Sequence, residues 1–106
     1  MPTVTLDPIA LRQAASVAVA ALKTLANPER LLLLCQLSQG ECSVGELELR
    51  LGIRQPTLSQ QLGVLRRDGV VETRRDGKTI HYRVADERLL AVLHTLYTLY
   101  CPKDPA

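Results

Sequence analysis

Phenylalanine and tryptophan are absent from this 106-residue chain, and its three aromatic residues are all tyrosines. Its core must therefore be built from leucine, valine and alanine, which suit close helix packing but leave a single domain of this length burying only a modest share of its surface by itself. Cysteine is scarce and odd in number, at three, which argues against a fully paired disulfide framework of the secreted kind. No apolar run approaches the roughly 20 residues that span a bilayer. The apolar patch from Ala14 to Leu22 lacks a basic segment before it, follows Asp7 and runs into a charged helix, so it is not read as a targeting signal. The expected location is the cytoplasm. A Gly-rich phosphate loop and a catalytic carboxylate pair are also missing, and neither His81 nor His94 stands in a nucleophile pattern. Catalysis is not expected, and neither is a cofactor.

What is present is a helix, a tight turn, a second helix and a hairpin between Ser43 and Val84. Ser43 and Glu46 form a capping box, with Val44, Leu47 and Leu51 at helical spacing behind it. Gly52 stops that helix, since a residue without Cβ takes the left-handed conformation without strain. A second helix is expected from about Gln55, with Pro56 in its first turn, where the missing N–H costs nothing. Leu58, Leu62 and Leu65 share one face. Thr57, Ser59, Gln60 and Gln61 then point largely elsewhere and offer donors and acceptors to base edges in a major groove. After Gly69, the β-rich runs Val70 to Arg75 and Thr79 to Val84 meet across Asp76-Gly77, a strong hairpin signal.

A net charge of +2 says little by itself, but its distribution is uneven. Between Arg50 and Arg83 stand eight basic residues against three acidic ones, and the rest of the chain carries a net charge of −3. Arg54, Arg66, Arg67, Arg74, Arg75 and Lys78 are candidates for holding phosphates or probing the minor groove at the hairpin tip.

Elsewhere Asp7 and Pro8 open a helix running to about Ala26. Its Ala14, Ala15, Ala18 and Ala21 form a small-residue stripe that can admit another helix closely or serve ordinary core packing. Asn27 and Pro28 cap and begin a leucine-rich helix to about Leu37 that contains Cys35 and is expected to be buried on most sides. Ser38 to Cys42 reads as a loop. Asp86 caps a last helix whose leucines cover more than one face, so it cannot be a free surface element. That helix is expected to pack on the first helix, with Tyr97 and Tyr100 near the seam. Met1 to about Leu6 and Lys103 to Ala106 read as loose ends. Of the histidines, His81 is expected to face DNA or solvent and His94 to be packed or hydrogen-bonded. By local electrostatics Cys42, just before a helix N-terminus, should be the most reactive thiol. A free cysteine among leucines, such as Cys35, is usually a small hydrophobe.

The segment SVGELELRLGIRQPTLSQQLGVLRRDGVVETRRDGKTIHYRV resembles the winged helix-turn-helix of the ArsR/SmtB repressors, with LSQQL in the recognition helix and RRDGVVETRRDGKTIHYRV in the wing. With ANPERLLLLCQL before it and LYTLYCPK after it, the resemblance covers nearly the whole chain and is close to the thiol- and persulfide-sensing sub-branch. It implies a mainly α fold with a β-hairpin wing, four helices, two strands and a last helix, as one domain over residues 1–106. It implies a homodimer joined through the first and last helices, binding double-stranded DNA at an inverted repeat. It also implies that Cys35 and Cys101 form a pair whose oxidation or persulfidation by a small oxidant or reactive sulfur species lowers DNA affinity.

The family's metal sites do not carry over. Where a Cys-Val-Cys pattern would fall the chain reads Ser43-Val44-Gly45, and an Asp-x-His start on the last helix is replaced by Asp86-Glu87-Arg88, with Leu99 where a second His would stand. Zinc needs three or four such ligands, so no metal is expected. Two alternatives stay open: a metal-responsive or constitutive repressor with the same DNA surface, and a regulator that displaces another DNA-bound protein. Arg54 stands where relatives carry a small capping residue, so the recognition helix should be weakly capped.

Overall fold

Among the described residues, four of the five helices start where a side chain accepts from a free backbone N–H of the first turn. In the computed structural model, which describes residues 7–101, Asp7 caps α1 (Pro8–Leu25) and Asn27 caps α2 (Pro28–Ser38). Ser43 and Glu46 exchange both bonds of a capping box at α3 (Val44–Leu51), and Asp86 caps α5 (Glu87–Tyr100). The expected loose ends lie outside the described residues.

The fifth helix, α4 (Thr57–Arg67), departs from expectation at its start: Pro56 precedes it, and no cap side chain bonds to its first turn from that position. Gln55 substitutes, accepting from the Ser59 N–H at 3.2 Å and from the Ser59 hydroxyl. Gly52, between α3 and α4, sits at φ 68°, the left-handed region where a side chain is strained.

The sheet has three strands where two were expected. Besides β2 (Val71–Asp76) and β3 (Thr79–Val84), residues Cys42–Ser43 form a short β1, and the antiparallel order is β1-β3-β2. Cys42 faces Tyr82 and Ser43 faces His81, while Asp76 faces Thr79 around the two-residue loop at Gly77 and Lys78. The expected loop 38–42 is therefore shortened at both ends, Ser38 closing α2 and Cys42 opening β1, which leaves 39–41.

Leu33, Leu34, Leu47, Leu58, Leu65 and Leu93 are fully enclosed, one or two from each of α2, α3, α4 and α5. Burying a leucine is worth roughly 1.5–3 kcal/mol, so this cluster fixes the four helices around one centre. α5 packs on α2 and β3, and α1 also meets α2. The helix α2 is less enclosed than its leucines suggest: Leu32 is 48% exposed.

α1 is barely covered. Only Thr24 and Leu25, at its end, are buried, and every residue from Asp7 to Ala20 is exposed, Ile9 at 69% and Val17 at 54%. With Leu89 and Val92 of α5, α1 borders an open, mainly apolar groove of about 930 Å³.

Candidate nucleic-acid interface

The amphipathic period of α4 decides what it shows to solvent. Leu58, Leu62 and Leu65 are buried, while Thr57, Ser59 and Gln60 are exposed and Gln61 is half-buried. The Ser59 hydroxyl spends its proton on Gln55, leaving lone pairs as what it can offer. Gln61 accepts at 3.2 Å from Nη1 of Arg30 on α2. Of the four proposed base-reading side chains, Thr57 and Gln60 thus enter no side-chain hydrogen bond within the described residues.

Arg54, Arg66, Arg67, Arg75 and Lys78 are all exposed, around α4 and along the hairpin. Lys78 occupies the tip, its position opened by Gly77 at φ 62°. Arg74 differs: its guanidinium clasps both carboxylate oxygens of Glu41, at 3.2 and 3.3 Å from Nε, with a further short contact from Nη2. Arg83 pairs similarly with Glu72 across β2 and β3.

The expectation that His81 faces DNA or solvent is corrected. Its side chain is only 20% exposed, turned against Glu41 with Nδ1 3.9 Å from the carboxylate. The β1–β3 pairing brings residue 41 beside the strand that carries His81, a contact across 40 positions of chain. His94, as expected, is hydrogen-bonded, with Nε2 3.2 Å from the Ser38 carbonyl oxygen.

Of the three free thiols, Cys42 loses the reactivity expected of a helix N-terminus. It is 1% exposed, and burial pushes its thiol up, an effect that Arg50, whose Nη1 lies 3.4 Å from the sulfur, offsets only in part. Cys35 and Cys101 are half-buried. Burial also raises Cys35, and a negative charge on Cys101 raises it further. Cys35 lies in α2 and Cys101 is the C-cap residue of α5, two helices that pack on each other. Among the described residues, no group of three His, Cys, Asp or Glu side chains gathers as a metal site.

Three carboxylates are held below their ordinary range: Glu41 by the Arg74 hydrogen bond, Glu46 by the Ser43 N–H and Asp86 by the Leu89 N–H. Each binds its proton more readily in the unfolded chain. Their stabilisation is therefore present above the ordinary carboxylate range and is lost as pH falls from about 5 through 4 and below. Thermal melting followed from pH 7 to pH 3 should show the midpoint falling over that window, with a shallower fall in Glu46→Gln.

Sequence reading missed Arg30, Glu41 and Gln55. For Gln55 a signal existed, since it precedes a proline at a helix start four residues before Ser59. Arg30 and Glu41 act across 31 and 33 positions, which no local pattern reports.

A buried-backed polar helix, a preceding helix joined by a tight turn and a basic hairpin at its side define a winged helix-turn-helix DNA-binding regulator. Residues 27–73 match the model described as "Bacterial regulatory protein, arsR family". The chain is 58% identical over 83 residues to the biofilm growth-associated repressor of Agrobacterium fabrum, covering 78% of this chain and 71% of that protein. It is 46% identical over 84 residues to the transcriptional activator HlyU of Vibrio cholerae, covering 79% and 78%. The crystal structure of the transcriptional repressor BigR from Xylella fastidiosa superposes with a TM-score of 0.83 at 48% identity, covering 92% of this chain and all of that one. The chain belongs to the ArsR family and is a DNA-binding transcriptional regulator. No single helix among the described residues is long and apolar enough to cross a membrane.

Proposed function

We propose that this chain is a single-domain, non-enzymatic repressor of the cytoplasm that binds an inverted-repeat operator as a homodimer, and that joining Cys35 to Cys101 releases it. The observation that carries the DNA-reading part is the exposed polar face of α4 anchored by three buried leucines and flanked by exposed arginines. The two recognition helices would enter successive major grooves about 34–36 Å apart. Thr57, Ser59, Gln60 and Gln61 meet base edges. Arg54, Arg66, Arg67, Arg75 and Lys78 meet phosphates or the minor groove, while Arg74, already neutralised by Glu41, acts at the root of the wing.

Dimerisation is supported by the uncovered apolar length of α1 and its groove beside α5, a surface that monomers rarely leave open. The switch is supported by the placement of the two half-buried thiols in α2 and at the C-cap of α5, helices that pack on each other. It is also supported by a relative, HlyU of Vibrio cholerae, solved in a form described as reduced, with a TM-score of 0.82. Two cysteine thiols and one organic persulfide become a disulfide, a thiol and hydrogen sulfide. A second persulfide inserts one further sulfur and releases a second thiol. A direct disulfide needs Cα atoms about 4.4 to 6.8 Å apart, and a wider gap favours the longer link.

The test of the reading is a pair of variants on operator DNA. Gln60→Ala should reduce discrimination among operator sequences by about 10- to 100-fold, the worth of one bidentate base contact. Lys78→Ala should weaken binding to all sequences alike and reduce the salt slope by about one. Unchanged discrimination in the first variant removes Gln60 from the reading set.

A second reading takes its support from the relative named as a transcriptional activator: the protein raises expression by displacing another DNA-bound protein. Footprinting with and without that competitor separates the two.

A further inference from the structure

The guanidinium of Arg30 stands at the junction of three helices and uses all its nitrogens. Nε donates to the Thr24 carbonyl at 2.8 Å and Nη2 to the Lys23 carbonyl at 3.2 Å, two carbonyls of the last turn of α1. Both sit at the negative end of the helix dipole, where the Lys23 carbonyl otherwise accepts only a 3.3 Å bond from the Ala26 N–H of the C-cap. The remaining nitrogen, Nη1, donates to Oε1 of Gln61 on α4. The backbone of Arg30 is itself fixed, its N–H bonded to the cap Asn27 at 3.1 Å.

This arrangement removes an ambiguity that surrounds most glutamines. An amide can turn over and exchange its oxygen for its nitrogen, but arginine carries donors only, so the atom of Gln61 that meets it must be oxygen. The Gln61 amino group has no hydrogen-bond partner among the described residues, and no side-chain nitrogen or oxygen is left buried and unsatisfied there, so that group reaches solvent. Gln60, one residue earlier, has no such holder.

We propose that Arg30 is a positioning residue for sequence recognition: it locks the Gln61 amide with its donor edge outward and ties that orientation to the C-terminus of α1. The inference rests on the DNA-reading assignment of α4. Its consequence is a division of labour between neighbouring glutamines. A free amide pairs bidentately with adenine through a donor and an acceptor, whereas an amide whose oxygen is turned onto Arg30 presents its amino donors outward. Gln60 therefore suits adenine, and Gln61 suits an acceptor edge, guanine N7 and O6 or thymine O4.

The experiment is a double-mutant cycle on operator DNA with Gln61→Ala, Arg30→Met and the double variant, read against operators substituted at each base pair, with Arg30→Lys as companion. Lysine keeps the charge and can still bond an α1 carbonyl, but its single ammonium cannot serve three fixed acceptors as the planar fork does. The wild type should prefer guanine or thymine at the position that Gln61→Ala affects, by about fivefold or more. Arg30→Lys, with melting unchanged, should shift that preference towards adenine, and Gln61→Ala should then have a smaller effect than in the wild type. The side-chain amide resonances of Gln61 should also move in Arg30→Lys in the absence of DNA. Effects of the two positions that simply multiply, or a base preference unchanged in a folded Arg30→Lys, would overturn the role of Arg30 and leave DNA reading standing. A wild-type protein that binds all sequences equally would overturn both.

Discussion

After treatment with an organic persulfide, the wild-type protein should lose operator affinity by about 5- to 150-fold, the usual range of coupling between two sites, while Cys35→Ser and Cys101→Ser should hold DNA as before. Serine cannot form either sulfur link, and both positions are half-buried, so the reduced-state affinity of each variant should match the wild type. Mass spectrometry of the treated protein should show a loss of two hydrogens, or that loss plus the mass of one added sulfur, in the wild type alone. Release that persists in either variant ends the proposal for that pair. Cys42 is the internal control: enclosed and with its thiol pushed up by burial, it should modify last. Labelling of Cys42 ahead of the other two would mean that its strand opens more readily than the packing suggests.

The largest effect on stability is expected at Leu58. Its side chain is fully buried and anchors the first turn of α4 in the core. Truncation to alanine removes about 3 kcal/mol or more, by the lost transfer energy and the cavity left behind. In a domain of this size that lowers the melting midpoint by roughly 10–20 °C, and specific DNA binding should disappear at the temperature where α4 loosens. The comparison is Leu49→Ala: Leu49 is 87% exposed on α3, and its loss should stay within about 0.5 kcal/mol. A similar melting point for both variants would show that α4 is not held by the leucine core.

The burial of Leu58 was legible in the sequence, and so was most of the fold. Asp7, Asn27, Ser43 with Glu46, and Asp86 each bond to the backbone two or three residues ahead, so the starts of four helices are written locally. The period of Leu58, Leu62 and Leu65 marks the buried side of α4 in the same way. What escaped reading depends on residues brought together from far apart. A two-residue strand has no alternation to detect, and β1 exists because Tyr82 and His81 stand opposite it. The enclosure of Cys42 and the turn of His81 towards Glu41 follow from that pairing. Local charge reasoning at Cys42 was sound about the helix end but could not see the desolvation that outweighs it.

The pairing of β1 with β3 at Ser43 and Cys42 also has a mechanical side. Beyond that point, Arg75 to Ile80 extend with no further strand neighbour on the β3 edge among the described residues, so the hairpin is a cantilever clamped at its base by a strand and by the Glu41 clasp on Arg74. A beam held at one end bends most at the other, where Lys78 stands. On the proposed reading, the cationic tip would follow changes in groove width along the duplex without disturbing the helices that its root is fixed to.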